Sequence, residues 1–165
     1  MFQTKRLIIR PTSVKDSFFM YQLMNTDSWL EYIGDRNIRS ESDAKDYILK
    51  SIISQYERLG YSSYTLIDKV NNEKIGVCGL YDRASVEGID LGFALLSNYE
   101  RLGLAYEAAA RLIMAAREDF NLSELSAITL MENARSKALL KRLGFVFIES
   151  MLVNDEKLEL WKMKL

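Results

Sequence analysis

A strand–helix–strand unit in the second half of the chain constrains the fold more than any other feature of the sequence. An apolar strand segment, GIDLGFALL, begins at Gly88, and the helical segment LAYEAAARLIMAARED follows Gly103. The next segment, SAITLM, again has the residue types that favour a strand. Because strands joined by a helical crossover run in parallel, we expect these two strands to be parallel members of one sheet.

The N-terminal segments predict a strand followed by helices. Apolar residues alternate over about 6–10 in a first strand, which Pro11 should end. Val14, Phe18 and Tyr21 then recur at helical spacing. A short turn or helix, WLEYIGD, and a longer second helix come next.

The middle of the chain predicts an antiparallel hairpin. The β-rich segments YSSYTLID and EKIGVCGLY flank a turn sequence, Val-Asn-Asn, and GIDLGFALL follows as a third consecutive strand. The predicted order is β-α-α-β-β-β-α-β-α-β-β, which indicates an α/β (α+β) fold with one mixed sheet and helices packed on it. No linker or internal repeat interrupts the sequence, so we expect residues 1–165 to form a single domain.

Two counts exclude several kinds of chemistry. The chain has no histidine, which removes Ser-His-Asp and Cys-His catalysis and a histidine-ligated metal. Its one cysteine, Cys78, stands in an apolar segment and is predicted to be a core residue. The net charge of -1 argues against nucleic acid or a membrane surface as the main partner. The sequence shows neither a signal peptide nor a membrane span, and a cytoplasmic location is expected.

Three positions are candidates for a site, and each has a structural alternative. The loop before the long helix offers free backbone N–H groups at Gly103 and a positive charge at Arg101, which together suit phosphate oxygens, although an ordinary helix start is equally consistent. The loop has neither a GK[ST] nor a G-x-G-x-x-G pattern. Asn133 could bind a ligand or simply cap the next helix. Asp90 interrupts an apolar strand and is either a site carboxylate or a salt-bridged residue.

Four segments in this order resemble the GNAT superfamily of N-acetyltransferases, in particular its ribosomal-protein-alanine (RimJ/RimL-like) branch. They are TKRLIIRP, EKIGVCGLYD, DLGFALLSNYERLGLAYEAA and ENARSKALLKRLGF, and the resemblance covers essentially the full chain. It implies a mostly antiparallel central sheet with a splayed parallel strand pair and helices on both faces. It also implies acetyl-CoA as co-substrate and no metal.

The resemblance also implies roles for individual residues. Asp90 would be the general base, directly or through water, and Ser136 would protonate the leaving thiolate. The residues implied to bind the cofactor are Phe93, Leu95, Arg101, Leu102, Gly103, Leu104, Ala105 and Asn133. Glu100 stands where the family usually has Gln or Arg, and its carboxylate would repel a pyrophosphate unless it turns away.

The function that follows is transfer of an acetyl group to a primary amine by direct attack. The acceptor would be the N-terminal amine of a protein, such as a ribosomal protein, or a small-molecule amine. The region WLEYIGDRNIRS and the second helix would form the acceptor side, where Glu31, Tyr32 and Asp35 either attract a cationic amine or form a solvated face. A non-catalytic acyl-CoA-binding or protein-interaction domain and a binding domain unrelated to CoA are the alternatives. The sequence is compatible with a homodimer.

Overall fold

The structure is a computed structural model and describes residues 1–153 and 155–165. Within these residues, eight strands form one sheet in the order β1-β2-β3-β4-β5-β6-β8-β7. The strands are β1 (Phe2–Gln3), β2 (Leu7–Pro11), β3 (Ser63–Asp68), β4 (Lys74–Asp82), β5 (Ile89–Leu95), β6 (Glu124–Leu130), β7 (Val146–Val153) and β8 (Glu156–Lys164). The helices are α1 (Ser17–Met24), α2 (Asp27–Tyr32), α3 (Glu41–Tyr47), α4 (Ser54–Leu59), α5 (Leu104–Glu118) and α6 (Ala134–Leu143), with a π-helical segment (Ile48–Ile53) joining α3 to α4.

The strand pairing confirms the predicted mixed α/β fold. Strands β3, β4 and β5 form the consecutive antiparallel strands that the sequence indicated. The pairing of β5 with β6 is parallel, as the crossover through α5 requires. Pro11 is the last residue of β2, so the strand ends there as expected. The short strand β1 was not predicted from the sequence, and it lies at the sheet edge beside β2.

Helices pack on both faces of the sheet and form two hydrophobic clusters. The first contains α5, α6 and one face of the central strands, and α5 buries Leu104, Ala108, Leu112 and Ala115 as predicted. The second contains α1, α3 and the π-helical segment, packed on the other face. Cys78 is fully buried in the first cluster, and its burial raises the pKa of the thiol to about 12. It is therefore the inert core residue that the sequence indicated.

The predicted helical face of α1 is wrong in one respect. Phe18 is 55% exposed, whereas its neighbours Phe19, Met20 and Leu23 are buried. The segment SFFMYQLM is apolar around most of the helix, so the sequence does not distinguish the face that packs on the sheet.

The parallel strands β5 and β6 separate soon after they meet. The two strands are in register at one residue pair only, Asp90 opposite Ser126, and beyond that pair they diverge toward their C-terminal ends. We call the gap between the two strands after this pair the splay. It opens toward the loop before α5 and the first turn of α6. None of the helices in the described part of the chain is long and apolar enough to cross a membrane.

Candidate functional site

Asp90 lies at the closed end of the splay. Its side chain is almost completely buried, and its Oδ1 accepts a hydrogen bond from the backbone N–H of Ile128 in β6 at 3.1 Å. Its Oδ2 lies 2.7 Å from Nε of Arg83. The Arg83 Nε–H makes no aligned hydrogen bond within the described residues, so the contact between these two side chains is mainly ionic.

The environment of Asp90 perturbs its acidity. Burial raises the pKa of the Asp90 carboxyl above its ordinary value, while the charge of Arg83 and the Ile128 N–H oppose part of that rise. A buried carboxylate with a raised pKa is a stronger base than an exposed one. The structure therefore combines both sequence interpretations of Asp90, because the residue is salt-bridged and also lies at the cleft.

One edge of β5 is free to bind a ligand along the splay. The N–H of Leu96, just after β5, donates to the carbonyl of Ile75 in β4, and hydrogen-bonding groups alternate sides along a strand. The backbone groups of Phe93 and Leu95 therefore face away from β4, toward the splay. An extended chain with amide groups could pair with them as an additional strand would.

The loop at the open end of the splay holds two residues in the left-handed backbone region. Gly103 has φ +76° and directly precedes α5, and Arg101 has φ +59°. The carbonyl of Leu102 accepts a hydrogen bond from Arg6 at 2.8 Å, and Arg6 also pairs with Glu107 in the first turn of α5. This conformation fixes the loop and leaves the N-terminal N–H groups of a 15-residue helix available to an anion.

Glu100 turns toward α6. Its Oε2 lies 2.7 Å from Nη1 of Arg135, in the first turn of α6 on the other side of the splay. Glu100 is the residue whose carboxylate would repel a pyrophosphate in the loop. The ion pair with Arg135 offsets that negative charge and gives the side chain a partner outside the loop.

Asn133 and Ser136 lie together at the start of α6. The Oδ1 of Asn133 accepts a hydrogen bond from the backbone N–H of Ser136 at 3.0 Å. Asn133 therefore caps α6, which is one of the two roles that the sequence allowed for it. This cap uses only the oxygen of the amide. Its Nδ2 donates to no partner among the residues that the structure describes, and it remains available to a ligand carbonyl.

The predicted acceptor side carries less free negative charge than the sequence indicated. Asp35 pairs with Arg39, which lowers the pKa of the Asp35 carboxyl to about 2. The Arg39 guanidinium also offsets the negative charge of this carboxylate. Glu31 has no ion pair within the described residues. Its hydrogen bond with Tyr32, and then its charge, raise the pKa of the Tyr32 phenol. The charges of Arg135 and Glu100 also act on the pKa of Tyr32, in opposite directions.

Sequence reasoning missed the partners of the site carboxylates. Arg83 and Arg135 were not predicted to take part, although each neutralises an acid at the splay. The pairing of β4 with β5 contains a signal for Arg83. Asp82 lies opposite Ile89, so Arg83, the next residue in the chain, comes within reach of Asp90. In the described part of the chain, no group of three metal-ligating side chains is placed to hold an ion.

Comparison with known proteins agrees with this geometry. The acetyltransferase (GNAT) domain family matches residues 6–146. The uncharacterised N-acetyltransferase YnaD of Bacillus subtilis (strain 168) is 26% identical over 141 residues, which cover 86% of this chain and 79% of that protein.

Solved structures share the fold over almost the whole chain. RimL, a ribosomal L7/L12 α-N-protein acetyltransferase in complex with coenzyme A, superimposes with a TM-score of 0.84 at 16% identity, covering 98% of this chain and 96% of that one. The microcin C7 self-immunity acetyltransferase MccE, in complex with acetyl-CoA and AMP, gives a TM-score of 0.82 at 15% identity over 98% and 94% of the two chains. At these identities the likeness establishes the fold.

Proposed function

The chain belongs to the GNAT acetyltransferase family, and from that membership we propose that it transfers the acetyl group of acetyl-CoA to the α-amine of a peptide or protein. The observation that carries this proposal is the splay between β5 and β6, which has a free strand edge along its length and, at its mouth, a loop that leads into the N-terminus of α5. The two features suit the two parts of coenzyme A. Pantetheine offers amides for the edge of β5, and the pyrophosphate offers oxygens for the loop.

The proposed cofactor-binding residues form two groups, one for pantetheine and one for the pyrophosphate. The backbone of Phe93 and Leu95 binds pantetheine, and the Asn133 amide binds a cofactor carbonyl. The loop residues Arg101, Leu102, Gly103, Leu104 and Ala105 surround the pyrophosphate. The ion pair between Glu100 and Arg135 supports this assignment, because it removes the charge that would oppose it.

The proposed reaction is direct attack of a neutral amine on the thioester, for which acetyl-CoA supplies the activated acyl group. Asp90 accepts the amine proton, directly or through one water, and its raised pKa suits that role. As the carbon–sulfur bond breaks, Ser136, at the start of α6, relays a proton from water to the departing sulfur, so that CoA leaves as the thiol. Backbone N–H groups in the splay polarise the carbonyl.

The α-amine is the proposed acceptor for a chemical reason. A peptide α-amine has a pKa of about 8, so an appreciable fraction is neutral at pH 7, whereas a lysine at about 10.4 is nearly all charged. The acceptor side offers no strong array of free carboxylates for a polycation, because Asp35 is paired with Arg39. The resemblance to RimL in fold supports a protein N-terminus, such as that of a ribosomal protein.

The test compares two peptides that differ only in the position of the free amine. One peptide has a free N-terminus and no lysine; the other has a blocked N-terminus and one lysine. We expect CoA thiol release with the first peptide, and mass spectrometry should find one acetyl group on its α-amine. Acetylation of the lysine peptide alone, or of a polyamine or amino sugar alone, would contradict the proposed acceptor. Acetyl-CoA binding without turnover on any amine would favour a non-catalytic domain instead.

A further inference from the structure

An open groove continues from the loop before α5 along the outside of that helix. The groove has a volume of about 720 Å³ and is lined by Arg101, Leu102 and Gly103 of the loop, together with Tyr106 and Arg142. Because the loop residues belong both to the groove and to the proposed pyrophosphate site, a ligand held in the loop would extend directly into the groove.

The groove has an excess of positive charge. Arg6, Arg101, Arg111 and Arg142 line it, and Glu107 is its one carboxylate among the described lining residues. Glu107 pairs with Arg6 at 2.7 Å, and the Arg111 guanidinium is 4.0 Å from Asp119 outside the groove. In the described part of the chain, Arg101 and Arg142 have no carboxylate within ion-pair distance.

Arg142 is held in place by an aromatic ring. Its Cζ lies 4.0 Å from the centroid of the Tyr106 ring, in the first turn of α5. Stacking on an aromatic ring orients the guanidinium while its N–H groups stay free. The side chain is therefore arranged to donate to an anion that reaches the groove from the loop.

We propose that Arg142, together with Arg101, binds the 3′-phosphate of coenzyme A, so that the groove selects CoA over its 3′-dephospho form. The inference rests on the proposed acetyl-CoA site and adds a determinant of specificity to it. A phosphate monoester carries up to two negative charges and three acceptor oxygens, which match two arginines that have no acidic partner among the described residues. The pyrophosphate is assigned to the backbone N–H groups of the loop, so the 3′-phosphate is the remaining anion of the cofactor.

Calorimetric titration with two ligands tests the proposal. CoA and 3′-dephospho-CoA share the pantetheine and the pyrophosphate, and differ only in the phosphate in question. We expect the unmodified protein to bind CoA about ten-fold more tightly than 3′-dephospho-CoA, the size expected of one charge-assisted contact. Arg142→Gln should lower CoA affinity about ten-fold and leave 3′-dephospho-CoA affinity unchanged.

Arg117→Gln is the matched control. Arg117 is an exposed arginine on the same helix as Tyr106, but it lies in the last turn of α5 and does not line the groove. Its replacement removes the same charge and should leave both affinities unchanged. A comparable loss of CoA affinity in this variant would show a general effect of net charge and would overturn the assignment.

Three other results would also overturn the inference, and they separate it from the proposed function. Equal affinity of the unmodified protein for the two ligands would exclude a 3′-phosphate site and leave the acetyl-CoA site intact. Loss of affinity for both ligands in Arg142→Gln would assign this residue to a part of the cofactor that the ligands share. Failure of the unmodified protein to bind either ligand would contradict the proposed function as well.

Discussion

The carboxylate of Asp90 accepts the backbone N–H of Ile128 at the point where β5 and β6 separate. In a regular parallel pair, a strand carbonyl would accept such an N–H. Here the side chain takes that place, so the strands can part without leaving a buried donor unpaired. Asp90 therefore has a structural role at the splay beside the catalytic role that we propose for it.

Replacement of Asp90 by asparagine should separate these two roles. The amide of Asp90→Asn would keep an oxygen for the Ile128 N–H, so the protein should still fold and bind acetyl-CoA. The loss of the ion pair with Arg83 should lower its free energy of unfolding. Without a base, kcat should fall about 100-fold. Steady-state kinetics and calorimetry on the same preparations measure the two effects. An unchanged kcat would remove Asp90 from the mechanism, and the exposed Glu87 would be the next acid to test.

The pH profile should follow the same carboxyl group. Asp90 accepts a proton only as an anion, so the rate should fall as the pH drops through its pKa. Because burial raises that pKa, this loss should begin above the ordinary value of about 3.9. Protonation of the free amine, with a pKa of about 8, lowers the rate in both proteins, so the test is the lower limb that the unmodified protein adds to it. This lower limb should be absent in Asp90→Asn, and its persistence there would assign it to another group.

The ion pair between Glu100 and Arg135 should control cofactor affinity. Arg135→Gln leaves Glu100 unneutralised beside the proposed pyrophosphate site, so acetyl-CoA should bind several-fold more weakly. Since both side chains are partly exposed, screening by water and salt keeps the effect small. The double variant Glu100→Gln with Arg135→Gln should recover most of the lost affinity. If it binds as weakly as Arg135→Gln alone, Arg135 acts independently of Glu100.

A buried network beside α1 should dominate the pH dependence of stability. Asp16 is fully buried, with Arg10 and Lys74 each 2.7 Å from its Oδ1. Asp16→Asn leaves both cations without their partner and should lower the free energy of unfolding by about 3 kcal/mol. Urea unfolding at pH 7 measures this loss. The matched control Asp46→Asn, which removes an exposed pair with Lys50, should change stability little.

The same network sets the direction of the pH effect. Burial by itself would raise the pKa of Asp16, but the hydrogen bonds from Arg10 and Lys74 outweigh it and lower that pKa. A lowered pKa stabilises the fold above the unfolded value of about 3.9, and the contribution is lost as the pH falls through the folded value. The stability difference between the unmodified protein and Asp16→Asn should therefore narrow below about pH 4. A constant difference would contradict the ionic origin of the effect.

The sequence predicted the parts of the fold that depend on local pattern. The long helix α5 and the helix α6 show clear apolar faces, and the crossover between β5 and β6 leaves only a parallel pairing. The face of α1 could not be predicted in the same way. Phe18 and Phe19 are adjacent and equally apolar, and only the tertiary structure decides that Phe19 is buried.

The sequence predicted which residues form the candidate site, but not which ion pairs they make. The loop and Asn133 follow from a resemblance in sequence. The partners Arg83 and Arg135 depend on how separate segments meet in space, since 35 residues separate Glu100 from Arg135. The sequence therefore does not show whether Glu100 opposes or permits cofactor binding, because that depends on its ion pair with Arg135.

The acetyl-CoA site proposed at the loop before α5 can be tested by calorimetry. Acetyl-CoA is titrated into the unmodified protein, Gly103→Val and Gly60→Val. Both glycines have a left-handed backbone, φ +76° and φ +81°, which valine adopts only with strain, and only Gly103 lies in the proposed site. The proposed site predicts micromolar binding by the unmodified protein and by Gly60→Val, and loss of binding in Gly103→Val. Absence of binding in the unmodified protein, or undiminished binding in Gly103→Val, would contradict it.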